Sequence, residues 1–127
     1  MALKAGAAIV AFADFNEEVL VNATKPVIEM NCEGMPVENY RFLPGSWEQL
    51  CTDESMKGAF DIIIMSEVLY NQQYYNQLFD LVKHCQMGVS NPQVIIATKT
   101  FYFGLGGGRF ELDQFLKDNK CTYKMKC

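Results

Sequence analysis

A run of apolar residues that stops abruptly at polar ones constrains this chain more than any other feature. It lies in residues 60–70, FDIIIMSEVLY, where the apolar residues 62–65 are followed by Ser66 and Glu67. A short continuous run of this kind predicts a strand covered on both faces, which is typical of parallel sheets in α/β folds. Such folds bind ligands just outside the carboxyl ends of their strands. We therefore expect Ser66, Glu67 and Tyr70 to lie at a ligand-binding crevice.

The rest of the chain alternates between predicted strands and predicted helices. A connection is expected over residues 24–36, which contain two prolines and a glycine. The alternation predicts an α/β fold with a Rossmann-like, doubly wound and mostly parallel sheet. We expect strands over residues 7–13, 40–43, 62–65, 93–98 and 121–126, and helices over residues 16–22, 47–50, 71–86 and 110–117.

Composition and charge argue against several classes of partner. The net charge is -4 and the basic residues are scattered, so a nucleic-acid-binding surface is not expected. No apolar run is long enough to span a membrane. Residues 1–13 imitate a signal peptide, but their weak hydrophobicity and the ADFN that follows favour a strand.

The five cysteines are widely spaced and form no CxxC pair, so neither a metal site nor a dithiol redox motif is expected. Free, buried thiols in a reducing compartment are the simpler interpretation, and we expect the protein in the cytoplasm or the nucleus. The single histidine, His84, lies within a predicted helix, where we expect it to be partly exposed and inert.

Two acids follow predicted strands. Asp14 is a candidate to bind ribose hydroxyls, or it only caps a helix, and its position alone does not choose between these roles. Glu67 is a candidate general base or cation-positioning acid, with a structural acid bonded to a backbone N–H as the alternative. If the next turn is helical, Glu67 and Tyr70 point the same way, and Asn71 caps the helix that follows.

The segment FYFGLGGGR, residues 101–109, is rich in glycine but does not have the GxGxxG spacing of a dinucleotide-binding loop. A mobile substrate loop, with Tyr102 and Phe103 at its root, suits four glycines better than a phosphate cradle. The alternative is an irregular connection without a role. Trp47 either stacks on a flat ring or anchors a core.

Together these motifs resemble the seven-strand methyltransferases that use S-adenosylmethionine. The similarity is greatest to the eukaryotic histidine protein methyltransferase family. It is carried by FADFNEEVL, YRFLPGSWEQL, FDIIIMSEVLYNQQYY and ATKTFYFGLGGG, at residues 12–20, 40–50, 60–75 and 97–108. The resemblance implies methyl transfer to a histidine ring nitrogen of a protein, and in that family the target is a large-subunit ribosomal protein.

The resemblance also assigns roles to particular residues. For the cofactor, it implies that Asp14 holds the ribose with Asn16 close by, and that Gly45, Ser46 and Trp47 lie along the adenine. Ser66 and Glu67 would border the methyl group and the target ring, with Tyr70 and Asn71 behind them. The substrate entrance would be shaped by the loop residues Tyr102, Phe103, Gly104, Gly106, Gly107 and Gly108.

The resemblance implies that the family's first strand with its glycine-rich loop, and its final hairpin, fall outside these 127 residues, and we expect the chain to be a fragment. We therefore expect residues 1–127 to form one partial methyltransferase domain with impaired cofactor binding and open apolar strand edges. The alternative hypothesis is a non-catalytic protein-interaction module derived from a methyltransferase.

Overall fold

The computed structural model describes residues 2–32, 34 and 36–124, and its contacts divide the chain into two compact units. Unit 1 is Met1–Thr52 and unit 2 is Asp53–Cys127. Each unit holds a two-stranded parallel sheet together with helices. The predicted α/β class with parallel strands is confirmed, but the described strands form two small sheets instead of one doubly wound sheet.

Unit 1 is built around strands β1 (Val10–Asp14) and β2 (Tyr40–Pro44), which pair in parallel with Asp14 opposite Pro44. The rings of Phe12 and Phe42 lie 6.0 Å apart across this pair. The helical elements of the unit are a 3-10 turn (Leu3–Ala5), α1 (Glu17–Val19), a π-helical segment (Leu20–Thr24), α2 (Lys25–Asn31), a 3-10 turn (Val37–Asn39) and α3 (Trp47–Cys51).

The expected connection over residues 24–36 is wrong in its first part, because helix continues without a break from α1 through the π-helical segment to the end of α2. Pro26 lies in the first turn of α2, just after the π-helical segment. A proline lacks the N–H that a regular helix interior requires, but the first turn of a helix tolerates it. A wider π turn next to it adjusts the hydrogen-bond pattern locally.

Unit 2 contains the second parallel pair, β3 (Ile62–Ser66) and β4 (Gln93–Ala97), with Ser66 opposite Ala97. Its helical elements are two 3-10 turns (Glu54–Met56 and Gln72–Tyr74), α4 (Tyr75–Cys85) and α5 (Arg109–Asp118). The predicted strand over residues 121–126 is wrong for residues 121–124, which are irregular, and residues 125–126 lie outside the described part of the chain.

The expectation that β3 is covered on both faces is also wrong. Met65 is 7% exposed, whereas Ile62 and Ile64, which alternate with it, are 53% and 67% exposed. Ile95, paired with Ile64, is exposed as well. Successive side chains of a strand point to opposite faces, so one apolar face of this sheet is partly covered, with Met65 buried and Ile63 and Ile96 half-buried, and the other is open.

The core of unit 2 depends on one face of α4. Its buried residues include Tyr75, Leu78, Val82 and Cys85, which follow helical spacing. Tyr74, the residue before Tyr75, is 43% exposed. In α5, Leu112 and Leu116 are buried, and Phe115 packs against Phe79 with ring centroids 5.0 Å apart, whereas Phe110 is exposed.

Among the cysteines, Cys85 is buried and Cys32, Cys51 and Cys121 are partly exposed free thiols. The expectation of buried thiols is therefore correct for Cys85 only, and Cys127 lies outside the described residues. Within the described ranges, no helix is both long enough and apolar enough to cross a membrane. The assignment of residues 1–127 to one domain stays a prediction.

Two glycines of unit 2 have positive φ angles but different surroundings, Gly58 at 62° and Gly88 at 79°. A side chain at either position is strained, at about 1–2 kcal/mol. A Cβ on Gly58 would also lie 2.4 Å from the carbonyl oxygen of Met87, whereas a Cβ on Gly88 meets nothing within 4 Å. In urea unfolding, Gly58→Ala should therefore lose more free energy of unfolding than Gly88→Ala. Equal losses would show that the close approach to Met87 is absent.

Candidate functional site

The candidate cofactor residues of unit 1 lie together at the carboxyl edge of its sheet. The carbonyl oxygen of Asp14 accepts a hydrogen bond from Gly45 N–H at 3.1 Å. The Oδ1 atom of Asp14 accepts another from the backbone N–H of Asn16, at 2.8 Å, where α1 begins. Asn16 is the N-cap residue of α1, so this bond stabilises the turn that precedes the helix, and Asp14 does not itself cap α1. A carboxylate has about four lone-pair positions, so capacity remains for ribose hydroxyls.

The turn after β2 is shaped by Gly45 and Ser46. Gly45 has a φ angle of 136°, which favours glycine. Ser46 forms a capping box with Gln49: its Oγ accepts from Gln49 N–H at 3.2 Å, and its own N–H donates to Gln49 Oε1 at 2.9 Å. Trp47 is the first residue of α3 and is half-buried. The carboxylate of Asp14 and the indole of Trp47 suit a ribose and an adenine, whereas the polar groups of Ser46 already serve the helix cap.

In unit 2, the residues after β3 do not form the helical turn that would align Glu67 with Tyr70. Glu67 has a φ angle of 57°, in the left-handed region that residues other than glycine seldom adopt. Its N–H donates to the carbonyl oxygen of Ala97 at 3.0 Å, which extends the pairing with β4 by one bond. Ser66, Glu67 and Tyr70 are exposed, and Asn71 caps the next 3-10 turn by accepting from Gln73 N–H.

The glycine-rich loop packs directly on this irregular segment, residues 66–71. A Cβ on Gly107 would lie 2.2 Å from the carbonyl oxygen of Leu69 and 2.5 Å from backbone atoms of Tyr70. Only a residue without a side chain permits this approach. The loop is closed at its base by an antiparallel bridge between Phe101 and Gly108, and by a hydrogen bond from Tyr102 N–H to the Gly107 carbonyl oxygen.

Tyr75 connects the same two segments through its hydroxyl group. The hydroxyl donates to the carbonyl oxygen of Leu69 at 3.0 Å and accepts from the N–H of Gly108 at 3.2 Å. The ring is buried in the core of unit 2, and this burial raises the pKa of Tyr75. The strand-end segment and the glycine-rich loop are therefore held together by one side chain of α4.

The two aromatic residues predicted at the root of the loop have different surroundings. Tyr102 is buried, and its hydroxyl lies 3.2 Å from Thr98 Oγ1 and accepts from Lys99 N–H at 3.4 Å. Phe103 is 91% exposed and packs edge-on against Phe101. Tyr102 thus supports the loop from inside, and Phe103 is the residue that a binding partner can reach.

Sequence reasoning missed two residues at this site, Tyr75 and Lys99. Tyr75 starts the series 75, 78, 79 and 82, which is the i, i+3, i+4, i+7 pattern of a buried helix face and would have identified it. Lys99 lies two residues beyond β4, and its Nζ atom is 3.2 Å from Glu67 Oε2. A contact between residues so distant along the chain has no local sequence signal.

The remaining candidates add little chemistry. His84 is partly exposed, and its Nε2 atom lies 3.0 Å from the carbonyl oxygen of Asp53. Across the residues that the structure describes, no group of three or more His, Cys, Asp or Glu side chains could hold a metal ion. The roles assigned to the site residues from sequence remain predictions.

Comparison with known proteins gives one family match. Residues 1–103 match the sequence model of a family described as lysine methyltransferase. No solved structure gives a significant match to the chain.

Curated relatives are similar over most of this chain. A histidine protein methyltransferase 1 homolog of Dictyostelium discoideum is 37% identical over 111 residues, which is 86% of this chain and 34% of the relative. Homologs with the same name from Bos taurus and Rattus norvegicus are 29% and 27% identical, over 93% and 92% of this chain and 38% of each relative. The chain thus spans little more than a third of the length of these relatives.

The contact at Gly107 gives a prediction with a matched control. Gly107→Ala should push the loop off the backbone of Leu69 and Tyr70, with chemical-shift changes at residues 69–71 and 101–108 and a lower melting temperature. Gly104→Ala is the control, because Gly104 has a φ angle of 76° but nothing within 4 Å of its added Cβ. Shift changes that stay within the loop in both variants would contradict the docking.

The hydroxyl of Tyr75 gives a prediction about alkaline pH. Tyr75→Phe leaves the Leu69 carbonyl and the Gly108 N–H without this partner. The free energy of unfolding, measured in urea at neutral pH, should therefore fall by about 1–3 kcal/mol. Since the folded pKa of Tyr75 is raised above 10.0, this group's contribution to stability is fully present below pH 10 and is lost as pH rises through the folded pKa.

The loss of stability above pH 10 should consequently be shallower in Tyr75→Phe than in the unmodified chain. Tyr40→Phe, which changes a half-buried tyrosine of unit 1, controls for the removal of one titrating phenol. If the free energy of unfolding falls equally steeply above pH 10 in Tyr75→Phe and in the unmodified chain, the raised pKa of Tyr75 does not contribute to this loss.

Proposed function

We propose that this chain acts in S-adenosylmethionine-dependent methyl transfer to a histidine ring nitrogen of a protein. The chain belongs to the lysine methyltransferase family, whose sequence model matches residues 1–103. The observation that carries the proposal is the 37% identity, over 86% of the chain, with a histidine protein methyltransferase 1 homolog. The family description names lysine and the relatives name histidine. We give the relatives more weight, because each name describes an individual similar protein.

Unit 1 carries the residues that suit the cofactor. Asp14 has acceptor capacity for ribose hydroxyls, and Asn16, Gly45 and Ser46 form the backbone around it. Trp47 offers a flat, half-buried ring for the adenine. When bound, S-adenosylmethionine supplies an electrophilic methyl group. The role of Ser66 beside the methyl group rests on the family resemblance alone.

Unit 2 carries the residues that suit the acceptor. A neutral imidazole has one N–H and one nitrogen with a lone pair, and only the latter accepts a methyl group. The carboxylate of Glu67 would accept a hydrogen bond from the ring N–H and so leave the other nitrogen free to react. After transfer the ring is an imidazolium, and Glu67 would take its remaining N–H proton. The chemistry depends more on this orientation than on strong acid or base catalysis.

The protein that supplies the histidine is proposed to be a ribosomal protein, in keeping with the family that the motifs resemble. The exposed Phe103, Gly104 and Gly106 of the loop would contact the acceptor protein beside its histidine, whereas Gly107 and Gly108 are buried and hold the loop in place. A ribosomal acceptor places the activity in the cytoplasm or the nucleus.

The test separates cofactor binding from methyl transfer. Titration of S-adenosylhomocysteine into the purified chain, up to millimolar concentration, should raise the melting temperature, because a ligand that binds only the folded state stabilises it. Asp14→Asn should remove that increase, whereas Asp80→Asn, which changes an exposed acid of α4 paired with Lys83, should retain it.

Glu67→Gln should keep the thermal shift but lose about a hundredfold in methyl transfer to a histidine-bearing ribosomal protein. Glu54→Gln is its matched control, since Glu54 is also an exposed glutamate paired with a lysine. A cooperative melt with no shift at any concentration would contradict the proposal and favour a non-catalytic interaction module. Transfer to lysine in place of histidine would overturn the acceptor assignment.

A further inference from the structure

The carboxyl edge of the sheet in unit 2 holds an ion pair that the proposed function does not use. Lys99 follows β4 and Glu67 follows β3, and these strands end side by side because Ser66 is paired with Ala97. The Nζ atom of Lys99 lies 3.2 Å from Glu67 Oε2. By contrast, the pairs Lys25–Glu29 and Lys83–Asp80 join neighbours along one helix.

Lys99 is itself held by the glycine-rich loop. Its ammonium group lies 5.4 Å from the centroid of the Tyr102 ring, within the range of a cation–π contact. Its backbone N–H donates to the hydroxyl of the same tyrosine. Tyr102 is buried and its hydroxyl also contacts Thr98, so the support behind Lys99 is fixed.

The ion pair does not contribute much to stability. The side chains of Lys99 and Glu67 are 65% and 49% exposed, and solvent screens the attraction between exposed charges of this kind. Its effect is on geometry. The backbone N–H of Glu67 donates to the carbonyl oxygen of Ala97, and its carboxylate pairs with Lys99. Residues at the end of β4 therefore hold both the backbone and the side chain of Glu67.

We propose that Lys99 is a positioning residue, which holds the carboxylate of Glu67 in one orientation before the acceptor binds. Through Tyr102, this orientation depends on the docked glycine-rich loop. The inference rests on the proposed role of Glu67 in methyl transfer. A preorganised carboxylate reduces the entropy lost when the acceptor binds, and misplacement of a reacting group can cost up to about a hundredfold in rate.

The first arm of the test does not require activity. NMR of the 127-residue chain with ¹³C-labelled glutamate would compare Lys99→Ala, Lys99→Arg and the control Lys83→Ala, which removes an equally exposed lysine of α4. We expect Lys99→Ala to shift the Glu67 carboxyl resonance and increase the mobility of its side chain. Lys99→Arg should restore both values, and Lys83→Ala should leave them unchanged. A Glu67 signal equal in Lys99→Ala and the unmodified chain would overturn the inference.

The second arm measures methyl transfer to a histidine-bearing acceptor. Lys99→Ala should lose between about ten- and a hundredfold in kcat/KM, and Lys99→Arg should recover most of it. Full activity of Lys99→Ala would overturn the positioning role even if the NMR signal moves. If the unmodified chain transfers no methyl group, the proposed function fails, and the first arm alone decides whether Lys99 orients Glu67.

Discussion

The close approach of Gly107 to the backbone of Leu69 and Tyr70 is the constraint on which the candidate site of unit 2 depends. A Cβ would lie 2.2 Å from the Leu69 carbonyl oxygen, so no other residue fits here without movement of the backbone. The hydroxyl of Tyr75 joins the same two segments by hydrogen bonds on both sides. A loop with four glycines is entropically costly to order, and this contact, together with the bridge at its base, gives it one defined position.

The consequences of this docking extend to Glu67. The docked loop supplies Tyr102, Tyr102 supports Lys99, and Lys99 pairs with Glu67. Glu67 holds a left-handed backbone conformation, which is costly for a residue with a side chain and is commonest at functional sites. Unit 1 follows a simpler scheme, in which Asp14 and the turn at Gly45 meet because their strands pair in parallel.

Sequence alone predicted the four strands that the structure describes, because each is a short apolar run bounded by turn residues, whereas the alternating segment 121–124 is irregular. It also placed Asp14 and Glu67 at carboxyl strand ends, since that position follows from the run itself. Exposure of Ile62 and Ile64 was not predictable, because an apolar run does not reveal how many strands pair or what covers them. The left-handed Glu67 and its pairing with Lys99 depend on β4, which lies far along the chain, so no local pattern encodes them.

The most direct test of this account is a nuclear Overhauser measurement on the isotopically labelled chain. If the glycine-rich loop docks as described, cross-peaks should join the amide proton of Gly108 to the ring of Tyr75, and the α-protons of Gly107 to Leu69 and Tyr70. Assigned resonances for all five residues without these cross-peaks would contradict the docking. The orientation of Glu67 through Tyr102 and Lys99 would then have no structural basis.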